Sequence, residues 1–381
     1  MIYLDNSATT PLWPEVSEAM QPWLRANYGN PSSIHELGRT ARVALEEARE
    51  VVARLINARP SEVVFTASGT EANNTALKGW AFHHALHGKP FSALQLLNSA
   101  AEHHAILEPA AFLEQLGLKR TVLPVDDDGI VSPRVIDHAI PESLVSLMLV
   151  NNEVGSMNPV AEVAQRMHAK GGLVHTDAVQ ALGKITIDLH ALEVDLATFS
   201  AHKIHGPKGI GALFIKSGTL IEPLIHGGAQ ERNRRGGTES VALAVGFAEA
   251  AKLTEEKRIR EGARLEELGR WLRASLEAID SVIINSPLTN WLPSILNFSF
   301  TEELLPKIDG ETLIMRFDLE GIAVSNGAAC TSGSVQPSHV LLAMNKGSRI
   351  AGASVRVSLS YQNTKEELQR FVEVLKSIID R

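Results

Sequence analysis

Cysteine is almost absent: one residue, Cys330, in 381. A disulfide within the chain is therefore excluded, and a reducing cytoplasm is the expected compartment. An excess of positive charge is missing too. Lysine and arginine number 36 against 44 aspartates and glutamates, a net charge of −8, which leaves no basic footprint for nucleic acid and points to small molecules or other proteins as partners. No run approaches the ~20 apolar residues of a membrane helix. The opening Met1-Ile2-Tyr3-Leu4-Asp5-Asn6 has neither the basic start nor the apolar stretch of a leader. No Gly-x-x-x-x-Gly-Lys-Ser/Thr run occurs, which argues against a nucleoside triphosphatase. Repeats and low-complexity segments are missing, and no metal centre is expected.

What is present describes an enzyme-sized globular chain. At roughly 100 to 200 residues per domain, 381 residues suggest two domains, and 21% charged residues argue against disorder. Short apolar runs at 63–65, 94–97, 145–150, 173–175 and 196–199 read as buried strands. The stretches between them have room for crossover helices, so the fold class is α/β, with a mainly parallel sheet covered on both faces. Residues 239–279 read as one long helix or two in series. Its apolar positions Val241, Leu243, Val245 and Ala248 give way to Thr254-Glu255-Glu256-Lys257-Arg258, a solvated face joining two domains, and resume at Leu265, Leu268, Leu272 and Leu276. A smaller α+β region follows, with strands near 295–299 and 354–359 and a closing helix from Thr364.

Ligands of such sheets bind beyond the carboxyl ends of the strands. One run leads into Asp177 with Gln180 close behind; the next ends in Ser200-Ala201-His202-Lys203. A carboxylate, an amide, an imidazole and an amine at adjacent strand ends suit pyridoxal phosphate. Lys203 would condense with its aldehyde, and Asp177 would keep the pyridine nitrogen protonated. The rival lysine, Lys208, sits between Pro207 and Gly209 in a turn. The turn Thr66-Ala67-Ser68-Gly69-Thr70-Glu71 opens a helix whose free N–H groups could hold a phosphate, with the Thr70 hydroxyl as a further donor. Alone it would read as a simple cap by Ser68 or Thr70; beside the lysine crevice it reads as a phosphate cradle. A lone cysteine is usually an inert buried hydrophobe. The small residues around Cys330 at 325–334 supply little apolar surface, as in a loop that exposes a thiol.

These motifs in this order resemble the cysteine desulfurases of the NifS/IscS type, in the class V aminotransferase group of fold type I pyridoxal-phosphate enzymes. The matching runs are Tyr3-Leu4-Asp5-Asn6-Ser7-Ala8-Thr9-Thr10-Pro11, Gly29-Asn30-Pro31-Ser32-Ser33, Ser68-Gly69-Thr70-Glu71, Glu102-His103, Asn151-Asn152-Glu153-Val154-Gly155, His175-Thr176-Asp177, Ser200-Ala201-His202-Lys203, Arg235-Gly236-Gly237-Thr238, and the Cys330 loop to Arg356. The resemblance implies a large cofactor-binding domain over residues 14–255, and a smaller one from 1–13 and 256–381 that carries Cys330 and Arg356. It implies that His103 stacks on the cofactor ring and moves protons, and that Gln180 bonds the ring oxygen. Gly69, Thr70, Ser200 and His202 would hold the phosphate, joined by Thr238 from a neighbouring subunit, hence a homodimer. Asn152 would contact cofactor or substrate, and Arg356 would pair with the substrate carboxylate.

The implied reaction converts L-cysteine to L-alanine. Lys203 takes the Cα proton, and the Cys330 thiolate attacks the substrate sulfur and keeps it as a persulfide for an acceptor such as an iron–sulfur scaffold. Selenocysteine lyase or another class V activity would use the same cofactor residues. A non-catalytic scaffold relative would be expected to lose Lys203, Asp177 or Cys330. The chain reads Ser-Asn-Gly-Ala-Ala-Cys where relatives often have Ser-Ser-Gly-Ser-Ala-Cys, and it ends at Arg381 without the longer tail some members use to dock a scaffold, which leaves the acceptor open.

Overall fold

The apolar runs become strands, and their alternation sets what covers each face. The computed structural model describes residues 1–305, 308, 310–326 and 336–380, so Cys330 lies outside the described residues. In chain order the elements are β1 (Ile2–Tyr3), α1 (Pro14–Arg25), α2 (Glu36–Leu55), β2 (Val63–Thr66), α3 (Gly69–Leu86), β3 (Gln95–Ser99), α4 (His104–Gln115), β4 (Lys119–Leu123), β5 (Leu144–Ser146), α5 (Val160–His168), β6 (Leu173–Asp177), β7 (Leu196–Ser200) and β8 (Gly211–Ile215). The chain continues through α6 (Gln230–Asn233), α7 (Val241–Glu277), β9 (Val282–Ile284), β10 (Ile295–Phe300), α8 (Gly310–Leu319), β11 (Ile322–Ala323), α9 (His339–Ala343), α10 (Ser348–Gly352), β12 (Val355–Ser358) and α11 (Lys365–Ile379).

Seven strands form the main sheet in the order β2-β8-β7-β6-β5-β3-β4. The pairs from β7 to β4 are parallel, and β8 alone runs against both its neighbours. Successive side chains point to opposite faces. Leu97, Val145, Val174, Ala197 and Phe214 accordingly join a core with residues of α1, α2, α5 and α7. Leu96, Leu144, Leu196 and Leu213 join a second core with Trp80 of α3 and Leu113 of α4. Both faces are dry, which is why the strands read as unbroken apolar runs.

The second region has its own core. Leu268, Leu272 and Leu276 of α7 pack with Phe298 and Phe300 of β10, Val355 and Val357 of β12, Phe317 of α8 and Phe371 of α11. Its sheet is β12-β10-β9, antiparallel throughout. The chain start belongs here: β1 pairs with β11, and Leu4 lies in this core. Leu292, Ile295, Val340, Leu341, Met344 and Ala351 pack instead into the large core.

Some boundaries differ from the sequence reading. The run at 145–150 is a strand only to Ser146. Beyond it the Leu147 and Leu149 amides still bond the carbonyls of His175 and Asp177 at 3.0 Å, but the Leu149 carbonyl turns to accept from Asn158 at 3.0 Å as the chain folds back. The stretch 239–279 holds one helix, α7, from Val241 to Glu277. Its charged middle is laced by near-surface pairs such as Arg258–Glu255 at 2.7 Å and Arg260–Glu256 at 3.2 Å, the spacing that stabilises an exposed helix face. Among the described residues no helix is long and apolar enough to cross a membrane.

Candidate active site

Three elements end at one crevice. β6 finishes on Asp177, and β7 on Ser200, passing at once into a 3-10 turn, Ala201–Lys203, that brings His202 and Lys203 alongside. α3 starts at Gly69 with Ser68 as its N-cap, the Ser68 hydroxyl accepting from the Glu71 amide at 3.1 Å. The approach of α3 depends on Gly211, opposite Ser200 and Thr66 in the sheet. A Cβ there would stand 2.6 Å from the Ser68 carbonyl carbon and 2.8 Å from the Gly69 nitrogen, closer than backbone allows. Between these ends lies a cavity of about 420 Å³. It is lined by Gly69, Thr70, Asp177, Ser200, His202 and Lys203, and across from them by His103, Asn152, Gln180 and Arg356. Ten of the twelve residues that the sequence singled out thus share one space. Thr238 is exposed and lines no part of it, and Cys330 lies outside the described residues.

Asp177 is 5% exposed, yet each of its carboxylate oxygens accepts a hydrogen bond. Asn73 donates to its Oδ2 at 2.7 Å, and the Val179 amide to its Oδ1 at 3.0 Å. These bonds meet the cost of a carboxylate at the edge of an apolar sheet. Asn73 was not assigned a role from sequence. The signal was its spacing: four residues after Gly69, it stands one turn down the same helix face.

Lys203 donates to the carbonyls of Ser7 and Ala8, the latter at 2.7 Å. Burial pushes its ammonium down to about 8; Arg356 repels it further, while Asp5 and Asp177 pull the other way. Lys208 is exposed and away from the cavity. Burial likewise lowers His202 to about 4; its Nδ1 faces the Thr9 hydroxyl at 3.1 Å. Gln180 donates to the Ser7 carbonyl at 2.9 Å and accepts from Lys184 at 2.7 Å. The first ten residues therefore hold the lysine, the imidazole and the amide in place.

His103 caps α4, its Nδ1 accepting from the Ala105 amide at 3.0 Å. Burial keeps this imidazole below its ordinary pKa, with Asp177 opposing. The preceding Glu102 is wholly buried. Its Oε1 accepts from the Met148 amide at 2.7 Å, and its carboxyl is pushed well above the usual range by burial. Glu153, also buried, is raised to about 7, again mainly by burial, with the Ser338 hydroxyl bonded to it as a counterweight. Neither acid was assigned a role from the sequence.

Arg356 is 5% exposed and already has an internal carboxylate: its Nη2 meets Asp5 Oδ1 at 2.7 Å, and its Nη1 meets the Asn152 carbonyl at 3.1 Å. The sequence reading offered a substrate carboxylate as the partner of this buried guanidinium; Asp5, 351 positions away, is one within the chain. Arg356 Nε has no hydrogen-bond partner among the described residues, and neither has the Ser7 hydroxyl. Both residues line the cavity.

The residues fit pyridoxal phosphate. Gly69 and Thr70 stand in the first turn of α3, where N–H groups have no intrahelical partner and the helix dipole favours an anion. Asp177 is a fixed negative charge for a ring nitrogen, and Lys203 is an amine with a depressed pKa.

The comparisons agree with this geometry. The family model for class-V aminotransferases matches residues 2–371. The chain is 45% identical to the cysteine desulfurase IscS of Dictyoglomus turgidum, over 100% of this chain and 95% of that protein. A solved NifS-like protein superposes with a TM-score of 0.90 at 38% identity, covering 100% and 99% of the two chains. The structure of SspA in complex with cysteine gives 0.81 at 33% identity over 94% and 99%. With its sheet order, its strand-end lysine and aspartate, and a match over nearly its whole length, the chain belongs to the class-V aminotransferases, a pyridoxal-phosphate-dependent family.

Proposed function

We propose that this protein is a cysteine desulfurase, which takes sulfur from L-cysteine, releases L-alanine and holds the sulfur on Cys330 for an acceptor. The observation that carries this reading is the convergence of Lys203, Asp177 and Arg356 on one cavity; the similarity to IscS and to a structure with bound cysteine selects the substrate. Bound there, pyridoxal phosphate supplies an aldehyde for an amine and a protonated ring that draws electrons from the substrate Cα.

The chain's own residues do the rest. Gly69, Thr70, Ser200 and His202 would hold the phosphate, and Gln180 the ring oxygen. Asp177, fixed by Asn73, would hold the proton on the ring nitrogen. Lys203 Nζ, with its lowered pKa, would take and return the proton at the substrate Cα. Arg356 and Asn152 would orient the substrate carboxylate. In the sulfur step the Cys330 thiolate attacks the substrate Sγ. A sulfur–sulfur bond forms and the carbon–sulfur bond breaks; its electron pair goes to the carbon side, which takes up a proton and leaves as alanine.

A thiol of ordinary pKa ~8.5 is only a few per cent ionised at pH 7, so proton removal must be assisted. His103 is the candidate, with a constraint that the structure adds. While its Nδ1 accepts from Ala105, the neutral ring carries its proton on Nε2 and offers a donor to the cavity. It becomes a base only when that cap bond opens.

A homodimer completes the site in this reading. Thr238 is exposed and away from its own cavity, and large apolar residues lie open at Leu24, Tyr28, Ile34, Leu37 and Val43. Two domains, 14–255 and 1–13 with 256–381, follow the two cores that α7 joins, apart from Leu292, Ile295, Val340, Leu341, Met344 and Ala351, which pack into the large core. The compartment is the cytoplasm, and the acceptor an iron–sulfur cluster scaffold or a similar sulfur carrier. The test is borohydride reduction of the loaded protein followed by peptide mapping, with L-cysteine and L-selenocysteine turnover measured in parallel. Cofactor fixed to Lys203 and alanine formed from cysteine support the reading; attachment elsewhere, or turnover of selenocysteine alone, refutes it.

A further inference from the structure

At the opposite end of α3 from the cavity, His83, His87 and Glu222 stand together, and one ligating atom of each lies within 4.8 Å of the other two. The two histidines are four residues apart, one turn of the same helix face, with ring centroids 4.2 Å apart. His83 Nδ1 faces Glu222 Oε1 at 3.1 Å. Glu222 comes from the segment after β8, and Gly79 fixes its place. The Glu222 amide bonds the Gly79 carbonyl at 3.0 Å, and a Cβ on Gly79 would meet the Glu222 carbonyl oxygen at 2.6 Å. Only glycine lets the two backbones come this close, one turn before His83. A second feature prepares His87. Its Nδ1 lies 2.8 Å from the His83 carbonyl, which accepts the ring proton and leaves the lone pair on Nε2. This is the outer-shell bond that fixes the tautomer of metal-ligating histidines.

We propose that His83, His87 and Glu222 form a binding site for a zinc-class divalent cation. Two imidazoles and one carboxylate match the preference of zinc and its borderline neighbours rather than magnesium or calcium, and water would complete the shell. The nearby Lys89 is neutralised by its ion pair with Glu142. The site is separate from the cavity: Gly69 and His83 are 14 residues apart in α3 (83 − 69), about 21 Å along the helix at ~1.5 Å per residue. Its ion would clamp the end of α3 to the segment at 222, while the other end carries the phosphate cradle.

The test uses the full, cofactor-loaded chain in a Cys330→Ser background, so that the thiol cannot ligate. Zn²⁺ is titrated in competition with a chromogenic chelator, and Co²⁺ is added in parallel to read the ligand field. The expected result is one tight site per chain. His87→Ala and Glu222→Gln should each weaken it at least ~10-fold, and His84→Ala, on the adjacent ring, should leave it unchanged. His87 is exposed, so its removal does not endanger the fold. No competition with the chelator, equal binding by His87→Ala, or equal loss in His84→Ala would overturn the assignment.

Discussion

In the cofactor-free protein the Lys203 ammonium is held at about 8 instead of 10.5, chiefly by burial and then by Arg356. At pH 7 this leaves about one amine in eleven neutral rather than about one in three thousand, roughly a 300-fold gain in the form that attacks an aldehyde. The shift can be read by brief labelling with acetic anhydride across a pH series, with peptide mass spectrometry and exposed Lys208 as an internal reference amine. Accessibility scales the amplitude of Lys203 labelling and leaves its midpoint untouched, so the midpoint reports the pKa. It is expected near pH 8. Arg356→Gln removes the repelling cation and should move the midpoint upward and slow labelling at pH 7. A midpoint at 10 or above in the unmodified protein would refute the reasoning, and one unmoved by Arg356→Gln would refute the part assigned to Arg356.

Asn73→Ala removes the donor to Asp177 Oδ2. A bond to a charged group contributes about 1.5–3 kcal/mol, so cofactor retention, followed by absorbance after dilution, should weaken roughly 10- to 100-fold. Arg49, 1% exposed, is paired to Glu231 at 2.6 Å, and the Phe65 amide donates to the same carboxylate. Glu231→Ala leaves this buried guanidinium with the half-buried Glu46 at 3.3 Å and the Val63 carbonyl at 3.0 Å, and should cost about 3 kcal/mol in denaturant unfolding; a loss under about 1 kcal/mol, the worth of a surface pair, would contradict the burial argument. Glu153 has its folded pKa raised to about 7 from 4.5. Its stabilising contribution is therefore complete below about 4.5 and is lost as pH rises through 7, on the order of 3 kcal/mol. Glu153→Gln should flatten the stability profile over that window, and an unchanged slope would mean that the carboxyl titrates normally.

Much of the fold was legible because strands dry on both faces must be apolar throughout. Residues 63–65, 94–97, 173–175 and 196–199 declared themselves in this way. The strand at 145–150 was read too long, since the residues after Ser146 stay buried and keep two bonds to β6 while the chain folds back at Leu149, and a buried turn of this kind looks the same in sequence as a strand. β8 was not among the strands read from sequence, and its direction would not have been legible either: an apolar run does not say which way it points. β1 and β11, two residues each, make sense only as each other's partner.

The site divides along the same line. Asp177, Ser200, His202 and Lys203 follow strands that can be seen, so their meeting could be foreseen. The Asp5–Arg356 pair joins the two ends of the chain, and the role of the Ser7 and Ala8 carbonyls is a backbone role with no side-chain signature. Asn73 was visible only to helical spacing, as were His83 and His87, whose third partner comes from 135 positions further on (222 − 87).

The most direct test of the desulfurase reading is a single turnover with ³⁵S-labelled L-cysteine on the cofactor-loaded protein. Alanine and protein-bound label should appear in equal amounts, the label should map to Cys330 and be released by a reductant, and Cys330→Ala should form neither. Alanine formed at the normal rate by Cys330→Ala, or label stably bound elsewhere, would contradict the account.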